Sequence, residues 1–116
     1  MVMERGRGGV EYEDLKVGKG PVAERGSKVE IRYDLFNQGQ PVQEKQVYSF
    51  RVGKRSAIPG LEYGVEGMRV GGERKLRVAP HLAYRDQGVP GLVPVRATLE
   101  FHVTLLKVES GNDAKK

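Results

Sequence analysis

The sequence predicts an antiparallel α+β domain of about five strands and one short helix. Five short runs alternate apolar and polar residues with a period of two, the mark of strands half buried in a sheet. One segment, Pro59 to Met68, repeats its apolar residues at helical spacing instead. Sixteen glycines and six prolines among 116 residues keep every element short.

Met1 to Gly9 is polar and glycine-rich and reads as a loose tail, so the domain is expected to run from Val10 to Glu109. VEYEDLK, Val10 to Lys16, opens the sheet, and Val17 to Pro21 is a turn cluster. From Lys28 to Phe36 the alternation puts Val29, Ile31, Tyr33 and Leu35 on one face. Asn37 to Pro41 has hairpin-turn chemistry, and VYSFRV, Val47 to Val52, follows with Tyr48, Phe50 and Val52 on one side. In the helix, Ile58, Leu61, Val65 and Met68 are three, four and three apart, and Pro59 suits a first turn. Two internal glycines weaken that helix by ~1 kcal/mol each relative to alanine, so a sheet must cover its apolar stripe. Leu76 and Val78, then Leu99, Phe101 and Val103, mark two further strands. Leu105 and Leu106 break the alternation, which predicts a bulge or a strand end buried on both faces. Residues 110–116 form a second polar tail.

Between the last two strands, Pro80, Gly88, Pro90, Gly91 and Pro94 forbid helix. Leu82, Tyr84, Leu92 and Val93 are too apolar for an idle connection, and such a loop usually walls a pocket or covers a core edge.

Composition excludes several chemistries. With no cysteine there are no disulfides, thiolate nucleophiles or cysteine metal sites. No stretch approaches the ~20 apolar residues of a membrane span and no apolar signal core opens the chain, which favours a cytoplasmic address. The net charge of +5 is spread along the sequence without a recognition motif, so nucleic acid is not the expected partner. His81 and His102 have no second ligand at metal spacing, and no metal or other cofactor is expected. Glu11, Glu13 and Asp14 read as a solvated strand edge, and Gly18-Lys19-Gly20 lacks the spacing of a phosphate loop. Arg74 shares parity with Leu76 and Val78, so its side chain leans to the apolar side and needs a buried or rim partner.

Two motifs, IPGLEYGVEGMRVGGERKL from Ile58 and AYRDQGVPGLVP from Ala83, together with Ala97-Thr98-Leu99 and Phe101, resemble FKBP-type peptidyl-prolyl isomerases. The resemblance covers about Val10 to Glu109 and implies a five- to six-stranded half-barrel sheet wrapped around one short helix. It implies rotation of X–Pro bonds in peptides or unfolded proteins by a single, monomeric catalytic domain that assists folding. That chemistry needs no acid, base or metal. The amide barrier is ~18–20 kcal/mol, and the twisted transition state has less charge separation than the planar amide. A dry apolar pocket therefore favours it.

Carried over residue by residue, the family's pocket falls on Tyr33, Phe50, Ile58, Leu61, Tyr84 and Phe101. Val42, Gln43, Tyr48, Ala57 and Val93 complete the substrate-binding surface. Tyr33, Phe50 and Phe101 would be aromatic walls and Leu61 the floor. The Ile58 N–H and the Tyr84 phenol would bind a substrate carbonyl each. The departures are specific. Leu61 replaces the usual floor tryptophan, and the usual Phe-Asp pair falls at Val42-Gln43 in a shortened segment. Glu44, one residue on, is the alternative source of that carboxylate. Arg85 and Val95 replace a glycine and a proline. Lost aromatic surface should weaken the grip on a prolyl ring, which implies reduced activity. A non-catalytic peptide- or protein-binding module is the other reading of the same cleft.

Overall fold

The computed structural model describes residues 3–6, 9–54, 57–80 and 98–109. In chain order these form β1 (Glu4–Arg5), β2 (Glu11–Lys16), β3 (Lys28–Asn37), β4 (Gln40–Arg51), α1 (Pro59–Val65), β5 (Glu73–Val78) and β6 (Leu99–Glu109). The six strands make one sheet in the order β1-β2-β5-β6-β3-β4. Every neighbouring pair is antiparallel. The α+β class with one short helix is the fold found.

The alternation read in β3 and β6 becomes the core. Val29, Ile31, Leu35, Leu99, Phe101, Val103 and Leu105 are all at most 1% exposed. They join Leu76 and Val78 of β5 and Leu61, Val65 and Met68 from the helical segment in one apolar cluster. The irregularity at Leu105-Leu106 is a bulge. Ile31 pairs with Leu105 and Glu30 with Lys107, so Leu106 is the extra residue, turned out at 41% exposure.

Three elements differ from their expected limits. Glu4-Arg5, expected in a loose tail, pairs with Tyr12 and Glu11. The helix stops at Val65 rather than Met68, because Gly67 takes φ 93. Strand β4 begins seven residues before Val47. Gln38 (φ 53) and Gly39 (φ 81) form the two-residue hairpin turn whose twist suits paired strands, and Pro41 is tolerated because β4 is an edge strand.

The glycines of α1, costly by propensity, have a packing role. A Cβ on Gly64 would lie 2.5 Å from Leu76 Cδ1, so the bare backbone lets the helix settle onto β5. A tighter approach occurs at Gly18. Residues 20–23 are laced to residues 67–70 by backbone hydrogen bonds, such as Ala23 N–H to Met68 O at 2.7 Å. A Cβ on Gly18 would meet Val70 O at 2.3 Å and Gly72 N at 2.5 Å. Backbone cannot yield as a side-chain tip can. The Gly18→Ala variant is expected to lose about 2–3 kcal/mol of stability, measured as a lower urea midpoint with an unchanged slope.

Candidate functional site

Strands β3, β4 and β6 and the start of α1 each contribute residues to one apolar cluster. Tyr33 is the half-buried member of the otherwise buried β3 face. It pairs with Val103, and Leu35 pairs with Phe101, which sets Tyr33 and Phe101 diagonally across the ladder. Their rings meet edge to face, with centroids 5.6 Å apart at 61°. Phe50, 3% exposed, lies opposite Val29 and stacks on Tyr48 at 5.7 Å and 28°. Leu61 is buried in the core, with Ala57, Ile58, Tyr33 and Val42 partly buried against it. The sites expected at Tyr84 and Val93 lie outside the described residues.

Strand β4 carries a second bulge beside this group. Tyr33 pairs with Gln46 and Leu35 with Gln43, leaving Glu44 and Lys45 opposite Asp34. Lys45 takes φ 55, and its N–H donates to Asp34 Oδ1 at 2.8 Å, which holds the bulge. The shift places Gln43 on the same face as Tyr33, whose hydroxyl donates to Gln43 Oε1 at 3.2 Å. Glu44 is exposed. The residue that meets the Tyr33 phenol is therefore Gln43, not Glu44. A neutral amide oxygen holds the phenol where a carboxylate would add charge.

The start of the helix is held by a residue absent from the sequence reading. Glu62 is 7% exposed, and its carboxylate accepts the Gly53 N–H at 3.1 Å and the Ala57 N–H at 3.0 Å. Two charge-assisted bonds thus tie the end of β4 and the approach to α1 to one side chain. Next to it Ile58 is the extended N-cap, and its carbonyl accepts from Leu61 and Glu62. Among the described residues no acceptor takes the Ile58 N–H. No sequence signal pointed to Glu62, because its partners are backbone amides five and nine residues upstream. Glu62→Gln turns an NH₂ group toward one of these donors. We expect it to cost about 1–3 kcal/mol in denaturant unfolding.

No group of three or more metal-ligating side chains occurs among the described residues, and no helix there is long and apolar enough to cross a membrane. The group is apolar and aromatic with few directed polar groups, Phe50, Leu61 and Phe101 buried and Tyr33 half-buried, a set of side chains suited to desolvation and shape rather than proton transfer.

A family model described as FKBP-type peptidyl-prolyl cis-trans isomerase matches residues 20–106. The chain is 38% identical over 111 residues to FK506-binding protein 4 of Aspergillus fumigatus, covering 87% of this chain and 21% of that protein. It is 40% identical over 107 residues to the 46 kDa FK506-binding nuclear protein of Spodoptera frugiperda, covering 88% of this chain and 26% of that one. It thus spans about a fifth to a quarter of these relatives. Among solved structures, FkpA from Escherichia coli superposes with a TM-score of 0.81 at 31% identity, covering 94% of this chain and 52% of FkpA. AtFKBP13 gives 0.81 at 26% identity, covering 92% and 98%. With a family model matching residues 20–106 and its sheet and helix superposing on solved family structures, the chain belongs to the FKBP-type peptidyl-prolyl cis-trans isomerase family.

Proposed function

We propose that this chain rotates X–Pro bonds of peptides and unfolded proteins in the corner framed by Tyr33, Phe50, Ile58, Leu61 and Phe101. The observation that carries the reading is the Ile58 N–H, without a protein acceptor among the described residues, on a residue partly buried against the same apolar cluster as Tyr33 and Phe101. A substrate carbonyl takes that N–H while the prolyl ring rests against apolar walls. Removal from water costs the planar, charge-separated amide more than the twisted one, so the barrier falls. The resemblance assigns a second hydrogen bond to Tyr84.

The rate is set below that of family members with a tryptophan floor. Leu61 offers less flat surface, and Gln43 brings no charge to the Tyr33 phenol. A folding role in the cytoplasm, with the chain acting as a monomer, belongs to the same proposal. A protease-coupled assay on a Leu–Pro peptide tests it. Measurable but low turnover supports the reading, and full rates of a tryptophan-floored family member contradict the reduced activity. Binding without turnover would establish the non-catalytic module instead, which the same two substitutions favour. For the same reason FK506, the macrolide in the names of the relatives, is expected to bind weakly. Calorimetry should give a Kd at least tenfold above that of a tryptophan-floored member.

A further inference from the structure

One end of the sheet carries cations that the isomerase chemistry does not use. Two turns meet there, residues 24–27 and 51–54, laced by Gly26 N–H to Val52 O at 2.8 Å and Val52 N–H to Ser27 O at 2.9 Å. Lys28 faces Arg51 across the β3–β4 ladder, and the Arg51 Nη1 donates to Gly26 O at 2.6 Å. Arg25 lies over Gly53, with its Nε 3.3 Å from the position a Cβ would take there. Arg25, Lys28 and Lys54 are exposed. No ion pair among the described residues engages these three.

The acids nearby do not neutralise them. Glu62 is turned inward onto backbone amides, and Glu109, opposite Lys28, is paired with Lys107 at 3.4 Å. Glu24 is the one exposed acid on the two turns. Elsewhere on the sheet Arg77 lies between Glu11 and Glu100, and His102 lies against Glu73. The three exposed cations gathered at these turns therefore lack acidic partners among the described residues. They are also adjacent to the site, because the Glu62 carboxylate that holds Gly53 also holds Ala57, the residue before Ile58.

We infer that the Arg25–Lys28–Arg51–Lys54 end is a specificity rim that selects substrates with acidic residues flanking the proline. The inference rests on the isomerase reading and adds the substrate class. A polypeptide seated on Ile58 continues past the turn at 51–54, where carboxylates gain several positive neighbours at once and lysines meet like charge.

The test compares two Leu–Pro peptides that differ only in glutamate or lysine at the positions two and three residues from the proline. Turnover and binding are both measured at low and at 0.5 M salt. The glutamate peptide is expected to be favoured about 5- to 10-fold at low salt, with the preference lost at high salt over a screening length of ~3–5 Å. The Arg25→Glu/Lys54→Glu variant, both exposed positions, should reverse the order while leaving an uncharged peptide unaffected. Equal handling of the two peptides, or a preference that survives the reversal, overturns the rim. If the reversal abolishes binding of a single-stranded RNA while the peptide ratio stays at one, the rim serves nucleic acid and the inference falls. Absence of turnover for every peptide would instead defeat the isomerase reading, and the ratio of binding constants would still decide the rim.

Discussion

Replacing Arg74 with methionine is expected to lower folding stability by about 2–4 kcal/mol, read from urea denaturation. Arg74 is 8% exposed. It holds Asp14 through both ends of its fork, Nε to Oδ1 at 2.6 Å and Nη2 to Oδ2 at 3.3 Å. Its Nη1 donates to the Gly64 and Glu66 carbonyls at 2.9 and 3.3 Å, and the guanidinium lies 4.3 Å over the Tyr12 ring. One cation thus fastens β2, β5 and the end of α1. Methionine keeps most of the stem but leaves the carboxylate and two helix-end carbonyls without their donor. The Asp14 side chain is 35% exposed and can rehydrate, which keeps the loss below that of a fully buried broken pair. Arg74→Lys should recover only part, since a point charge cannot serve three acceptors in a plane. An unchanged midpoint for Arg74→Met would mean that the strap adds nothing.

Leu61→Trp is expected to raise kcat/KM for an X–Pro peptide about tenfold. Leu61 sits in the first turn of α1, three residues after the Ile58 N-cap, and is 5% exposed against the core. An indole there would offer the prolyl ring a broad flat face. About 1.4 kcal/mol of added contact in the transition state suffices for a factor of ten. The larger side chain must also be fitted, so stability should fall by about 1–3 kcal/mol. Kinetics below the unfolding transition separate the two effects. A folded Leu61→Trp variant no faster than the parent would show that the residue at position 61 does not limit turnover.

Local pattern made much of this molecule legible before the structure. The β3 alternation and the Ile58–Leu61–Val65 stripe follow from residue spacing, because burial on one face leaves a period in the chain; the break at Leu105-Leu106 allows a bulge or a doubly buried strand end, and the β3–β6 register decides for the bulge. Pairing between distant segments leaves none. Arg74 could be read as needing a partner, but Asp14, 60 residues away, is set by the β2–β5 register. The first half of β4 is masked in the sequence because Pro41 and the polar run Gln43 to Gln46 look like loop, whereas an edge position and a bulge held by Asp34 accommodate both. The same bulge decides that Gln43 rather than Glu44 meets Tyr33, and a shortened segment cannot be registered from one sequence. Glu62 was invisible because it serves backbone amides, which every sequence has. Tyr33, Phe50 and Phe101 were singled out by a family resemblance, since inward rings on strands are otherwise indistinguishable from core.

The most direct test of the central claim is an NMR titration of the labelled protein with a Leu–Pro peptide, recording amide shifts and peptide cis/trans exchange together. Shifts gathered at Tyr33, Ile58 and Phe101, with exchange cross-peaks that grow with protein concentration, are the predicted result. Shifts scattered over the lysine and arginine surface, with peptide exchange no faster than in buffer, would contradict it.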